Sequence, residues 1–380
     1  MQDFNYLFII VVISIFISLF LAVFLVTASS TNKLSNRLFA LFLIYTSIDV
    51  SGFLYESNAG EMSNLAMFRN LVIFLQLPTL YLYVLAASYK NFSLKWKHII
   101  HILPFVLVNL VFVPRFYLAN TAEKIVFLQG FKNVPEVQFN HIFLHLQVLV
   151  YIVLIFLALR KAKKLYLENY TGNSLLSHQW LFQLSVAITI FYVIALLKNI
   201  LKFSTYDHIS DQITIGLYVF NLIIICWYLL KALNNPTLFR SVDPNLTLVE
   251  TIVSEKKKNS SQAVNDINFD VELQKLQAYM QDEQAFLNAS LTIQDVSDAI
   301  HIPVRELSVL INHRLGQHFF DFVNSYRIKK AQGLLTDTTD KKRTVLEILY
   351  EVGFNSKSSF NTAFKKHTGY TPTAYRKNHS

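Results

Sequence analysis

Apolar residues fill the chain from Phe4 to about Leu233 in long runs separated by short polar stretches, and then the pattern changes. A helix needs about 20 apolar residues to cross a hydrocarbon core. Runs of that order fall at Phe4–Thr27, Leu38–Ser57, Leu65–Ser88, Ile99–Leu118, His141–Leu159, Trp180–Leu201 and Ile213–Leu233, which makes seven. The first run has no basic segment ahead of it and outlasts the apolar stretch of about 7–15 residues in a signal peptide, so it reads as a span. Asn234–Asn265 then carries Asn234-Asn235-Pro236, Asp243-Pro244 and the tract EKKKNSSQ, the chemistry of an exposed connection. The Lys256–Lys258 run within it reads as solvated charge.

From Asp270 the apolar positions return at helical spacing. Leu273, Leu276, Tyr279 and Met280 keep a period of three to four. Thr292 is placed to cap a helix over Ile293–Ile300, with Asp295 three residues on as its partner. His301-Ile302 makes a turn and Pro303 opens a second helix, Pro303–Asn312, that buries Leu307, Leu310 and Ile311. Its outer side is expected to carry Arg305, Ser308, Val309 and Asn312. About 50 residues later the grammar repeats. Thr344 and Glu347 form a capping box for Val345–Val352, Gly353 supplies a positive φ with Phe354 packing the turn, and Ser356 caps Ser358–His367. Phe360 and Phe364 form the inner stripe there. A long helix, about Phe319–Leu335, joins the two units, with Phe319, Val323, Tyr326, Ala331 and Leu334 as its core stripe. Helix, short turn, helix with a polar outer face is the helix-turn-helix pattern, and two of them on one stiff connector fit adjacent major-groove segments.

Composition changes this picture little and charge changes it more. Of 380 residues, 53% are hydrophobic and only 16% charged, which fits membrane spans rather than an ordinary soluble domain. The single cysteine, Cys226, lies inside an apolar run, so an intrachain disulfide and a cysteine metal cage are excluded. The net charge of +9 has two sources. In the last 80 residues basic groups outnumber acidic ones roughly two to one. The rest lies in loops: Lys33 and Arg37, then Lys90, Lys95 and Lys97, then Arg160, Lys161, Lys163 and Lys164 follow the first, third and fifth runs. Glu56–Asn64 has no basic residue, Ser204–Gln212 carries Asp207 and Asp211, and the fourth connection mixes Arg115 and Lys124 with Glu123 and Glu136. The positive-inside rule then predicts an external N-terminus and a cytoplasmic C-terminus.

Ionisable residues inside spans are the places to look for sensing. Asp49 falls near the middle of the second run, and Glu56, Arg69, His145 and Lys198 fall at a similar outer depth. They are candidates for a polar pocket, or for groups that snorkel or tie helices together. His141 and His145 share a helical face, but no third ligand accompanies them, and no metal or other cofactor is expected. Pro78, Pro104 and Pro114 mark kinks or span ends.

The tract GFNSKSSFNTAFKKHTGYTPTAYR at Gly353–Arg376 resembles the C-terminal signature of the AraC/XylS family of bacterial transcription regulators. Ser325-Tyr326-Arg327, with Ala331 and Leu334-Leu335, is similar to the family's linker helix. The resemblance covers about Leu273–Lys377. The membrane half is no part of that fold, and its fusion to such a domain resembles multi-span regulators of Bacteroidetes-type bacteria. Ile311 stands where the family usually has Phe, and Leu349 where it has Ala. The resemblance implies base contacts from Arg305, Ser308, Val309 and Asn312 in the first unit and from Lys357, Ser358, Ser359 and Thr362 in the second. It implies phosphate contacts from Lys365, Lys366, Tyr375 and Arg376, and a structural place for Arg327, paired with an acidic neighbour.

The expected architecture is all-α: a seven-helix transmembrane bundle over 1–233, a cytoplasmic linker over 234–267 and a double helix-turn-helix domain over 268–380. The expected function is a sequence-specific DNA-binding regulator in the bacterial inner membrane. Its partners would be double-stranded DNA, the lipid bilayer, a second copy in a homodimer, and a small-molecule or envelope signal. The competing reading is a transporter or receptor whose C-terminal domain is secondary. An enzyme is not expected, since no GxSxG, HExxH, P-loop or kinase tract occurs.

Overall fold

The computed structural model describes residues 6–27, 33–56, 63–89, 92–170, 174–205, 207–234, 266–337 and 343–379. Among them the secondary structure is helical, with no strand longer than an isolated bridge. Most of the linker, with Lys256–Lys258, lies outside the described residues. The chain divides into two compact units: Met1–Leu159 with Gln179–Ser241, and Arg160–His178 with Val242–Ser380.

The first unit holds α1 (Tyr6–Thr27), α2 (Lys33–Val50), α3 (Gly52–Glu56), α4 (Asn64–Leu71), α5 (Ile73–Ser88), α6 (Leu103–Phe112) and α7 (Thr121–Gln129). It also takes most of α8 (Pro135–Asn169) and α9 (Ser174–Lys202), and α10 (Asp207–Asn234). Among the described residues seven helical stretches are long and apolar enough to cross a membrane, and each overlaps one of the runs read from the sequence. Helix α1 packs on α2 and α10, and α2 on α5. Phe39 stacks on Tyr228 with ring centroids 4.4 Å apart and meets Tyr83 at 4.6 Å, at the centre of the main apolar core. The opposite faces leave Phe16, Phe20, Ile142, Leu149 and Leu230 exposed, an outward apolar surface that water disfavours and lipid does not.

The mixed charges of the fourth connection are used locally. Arg115 pairs with Glu136 at 3.1 Å, Glu123 closes a capping box with Asn120 at the start of α7, and Lys124 lies over the Phe116 ring. Pro104 and Pro114 sit in the first turns of α6 and of the π-helical turn Val113–Tyr117, where a missing N–H costs least, whereas Pro78 lies inside α5.

The second unit contains α11 (Asp266–Asp282), α12 (Ile293–Ile300), α13 (Val304–Val309), α14 (Phe319–Thr336), α15 (Val345–Glu351), α16 (Lys357–Thr368) and α17 (Pro372–His379). Within it Tyr170 forms an antiparallel bridge with Thr292. Two apolar cores lie along α14. The N-terminal part supplies Phe319, Phe322 and Val323 to a core with Leu276, Val296 and Leu307; the C-terminal part supplies Ile328, Ala331 and Leu335 to one with Ile348, Phe360 and Phe364. The buried face therefore changes side along the helix. For that reason the single expected stripe was incomplete: Tyr326 and Leu334 are only half-buried, while Phe322, Ile328 and Leu335 are buried.

Candidate nucleic-acid interface

Each helix-turn-helix unit is built from local signals that the backbone honours. Thr292 Oγ1 accepts from the Asp295 N–H and the Asp295 carboxylate accepts from the Thr292 N–H at 2.8 Å, closing the box at the start of α12. Thr344 and Glu347 do the same for α15, and Ser356 caps α16. Such boxes satisfy two orphan N–H groups at once. The first turn is made by His301 in the left-handed region at φ 55°, with Ser297 Oγ donating to Ile302 O at 2.6 Å. The second is made by Gly353 at φ 88°.

Gly353 is needed for a second reason. A Cβ there would stand 2.7 Å from Leu287 O and 2.8 Å from Phe286 O, so the second turn packs backbone to backbone against the Phe286–Leu287 segment. Arg327 joins the same place. It is 1% exposed, donates from Nε to Phe286 O at 2.6 Å and from Nη2 to Asn288 O at 2.7 Å, and lies 5.4 Å from the Phe354 ring centroid. These contacts hold the side chain between two backbone carbonyls and a ring. Burial lowers the guanidinium to about 10, still far above neutral pH, so it is charged and donates to the Phe286 carbonyl and to the Asn288 carbonyl, which also accepts from the Leu291 N–H. Ile311 and Leu349 are both buried, each filling its own core.

The outer faces of α13 and α16 differ from the simple expectation. The helix expected over Pro303–Asn312 is α-helical only over Val304–Val309 and continues as a π-helical turn, Leu310–Arg314. Arg305 is exposed and Val309 and Asn312 half-buried, but Ser308 is 2% exposed, so its expected outward position is corrected. Leu307, Ser308, Leu310 and Ile311 all turn inward, a buried face broader than the apolar letters alone define. Asn312 is committed to the fold: its Nδ2 donates to Ser308 O at 2.9 Å and its Oδ1 faces His318 Nδ1 at 3.0 Å. In α16, Lys357, Ser358, Thr362, Lys365 and Lys366 are exposed. The Ser359 hydroxyl accepts from Ser356 Oγ, Lys366 pairs with Asp321 at 2.6 Å, and Arg376 is half-buried. Tyr375 is held by structure, accepting from Gln332 and lying edge-on to Phe364.

In the first unit the structure brings Asp49, His145 and Lys198 to the wall of one cavity with Asn199 and Asn221. His145 Nε2 lies 3.2 Å from Asn199 Nδ2. Arg69 is within electrostatic reach of Asp49 but binds Asn70 and does not line that cavity. The Glu56 side chain lies outside the described residues. Sequence reading missed Gln76, Tyr192 and Asn221, whose only signal was polarity inside apolar runs.

Fold and surface together define a domain of two helix-turn-helix units. Residues 296–378 match a family model described as a helix-turn-helix domain. The chain is similar to the melibiose operon regulatory protein of Escherichia coli K12, at 28% identity over 23% of this chain and 28% of that protein. It is also similar to the transcriptional activator RhrA of Rhizobium meliloti, at 32% over 26% and 31%, and to an uncharacterized HTH-type transcriptional regulator, YdeC, of Bacillus subtilis, at 31% over 24% and 30%. These matches support an AraC-type regulator. The chain spans under a third of the length of these relatives. No solved structure matches the chain.

Proposed function

We propose that this chain is a membrane-bound, sequence-specific DNA-binding transcription regulator that receives its signal through seven membrane spans. The observation that carries the reading is one chain joining seven membrane-length apolar helices to a rigid pair of helix-turn-helix units with exposed Arg305, Lys357, Ser358 and Thr362. Regulation of transcription is supported by the similarity to regulators of transcription, and the inner-membrane location by the apolar helices together with the basic loops. In this reading 1–233 is the membrane domain with its N-terminus outside, 234–267 the linker and 268–380 the cytoplasmic DNA-binding domain. Arg305 reads guanine through its paired donors, Val309, Ser358 and Thr362 make weaker base contacts, and Lys365 and Arg376 meet phosphate. Transmission of the signal is supported by the make-up of the second unit, which includes Arg160–His178, the chain between the fifth and sixth spans. Two copies held in one bilayer gain effective concentration, so the working form is a homodimer.

Chromatin immunoprecipitation of the full-length protein beside an Arg305→Ala/Thr362→Ala variant tests this. Discrete peaks that vanish in the variant are expected. Peaks that persist unchanged, or retention of DNA that does not respond to salt, refute it.

A further inference from the structure

The connection between the fourth and fifth membrane-length stretches is apolar where an aqueous loop would be polar. Helix α7 buries Phe127 in a core with Phe112, Phe116 and Val134. Ala122, Ile125 and Val126, at positions i, i+3 and i+4, share another side of the same helix. That side is exposed, Val126 at 68%, and Leu118 is exposed at 79% just ahead of the cap. A helix that is apolar all round belongs where water reaches neither side, and protein provides that on one side here. Four charged groups of the connection are engaged locally: Arg115 pairs with Glu136, Glu123 closes the cap and Lys124 lies over the Phe116 ring. What this face offers a neighbour is therefore chiefly apolar contact.

Its depth follows from the length of α8. That helix runs unbroken from Pro135, and Leu159 ends its apolar run just before Arg160 and Lys161. At 1.5 Å per residue Pro135 stands about 36 Å from Leu159, or about 34 Å at a tilt of about 20°. A hydrocarbon core is about 30 Å thick, so Pro135 rises about 4–6 Å past it, into the headgroup layer. Val134 and Pro135 wall one groove of about 740 Å³ with Pro114 and Arg115, at the end of the fourth stretch, and with Ala122 and Val126 of α7. Helix α7 thus lies at the same level. Its exposed side continues the outward apolar faces of the flanking helices, Leu110 on α6 and Phe139 and Ile142 on α8.

We propose that α7 is an interfacial helix whose side bearing Leu118, Ile125 and Val126 rests in the boundary between lipid headgroups and acyl chains. The partner of this surface is the bilayer itself. The inference rests on the membrane location proposed above and not on DNA binding.

The test uses the full-length protein in vesicles of phosphatidylethanolamine and phosphatidylglycerol, with Cys226→Ala so that a nitroxide can be placed at one engineered cysteine at a time. Leu118→Cys and Val126→Cys carry it on the face in question, Leu149→Cys on the exposed side of α8 and Asn378→Cys on α17. Access of oxygen, which concentrates in lipid, is compared with access of a water-soluble nickel chelate. Labels at 118 and 126 are expected about 5–10 Å into the headgroup and acyl boundary, shallower than the label at 149, with the label at 378 in water. Adding Ile125→Asp should raise chelate access at 126 severalfold and leave 149 unchanged. Chelate access at 118 and 126 equal to that at 378, with 149 in lipid, overturns the interfacial helix and leaves the membrane location standing. Chelate access at 149 as well overturns the membrane location itself. Protection of 118 and 126 from both reagents means that a second copy covers the face, which also overturns the proposal.

Discussion

The two helix-turn-helix units are alike in plan and unlike in how they are held. The first turns on His301, a residue with a Cβ in the left-handed region, and its second helix gives way after six residues to a π-helical turn. The second turns on Gly353 and presents a regular twelve-residue helix. The first unit buries Ser308 and ties down Asn312, leaving Arg305 as its clear outward group, whereas the second exposes Lys357, Ser358 and Thr362 along one helix. A shared motif thus fixes where a reading helix starts, and the packing beneath it fixes how many of its residues face outward.

The sharpest test of this contrast lies at the turns. Gly353→Ala places a Cβ against two backbone oxygens at a positive φ and should destabilise the domain by about 3 kcal/mol or more. His301→Gly relieves a left-handed residue and should be neutral or stabilising by up to about 1 kcal/mol. Hydrogen exchange of the full-length protein measures both, and equal losses at the two turns would erase the distinction. Next in size is Arg327→Met, which removes the guanidinium donor from the Phe286 carbonyl and from the Asn288 carbonyl, the latter keeping the Leu291 N–H, and should cost about 2–3 kcal/mol, loosening both units together. Unfolding of only one unit would remove Arg327 from its role as their joint.

Smaller effects concern DNA. Arg305→Ala should cost about 2 kcal/mol in discrimination at one base position. Thr362→Ala should cost about 1 kcal/mol, within the range for weaker contacts. Ser308→Ala should change affinity less than either, since the side chain is buried. Competition binding against substituted operators ranks the three, and a Ser308 effect equal to that of Arg305 would return Ser308 to the reading face. The smallest effect is a dependence on pH, followed here at His318. Burial pushes the His318 imidazole below its usual range against the pull of Asp321, with Lys164 and Lys366 adding to the lowering. With the folded value depressed, the unfolded chain binds the proton first, so stability is full above about pH 6.5 and declines as pH falls below it. Protection of Asn312–Phe319, taken relative to the intrinsic exchange rate at each pH, should therefore fall on acidification, and His318→Gln should flatten that fall.

Much of the domain is legible along the chain because its signals are short-ranged. A capping box spans four residues, a positive φ at a turn asks for glycine at one position, and Phe360 with Phe364 marks a buried stripe by spacing alone. The polar groups of the first unit are legible only as a list. Asp49, His145 and Lys198 were noted for their depth, but nothing in their spacing told which of them share a wall, and Arg69 at similar depth does not line that cavity. The charges of the fourth connection were read for topology, yet Arg115, Glu136 and Glu123 are engaged in a local pair and a cap.

The sequence by itself determined the places of the apolar helices, the caps Thr292, Thr344 and Ser356, and the need for Gly353. These follow from the free energy of apolar surface and from the hydrogen bonding of neighbouring residues, which the chain carries locally. Only the tertiary structure decided that Ser308 is buried, that Arg327 holds carbonyls 41 and 39 residues away, and that α14 serves two cores on different sides. Those outcomes depend on which surfaces meet once the helices pack, and close packing leaves room for one arrangement that the order of residues does not display.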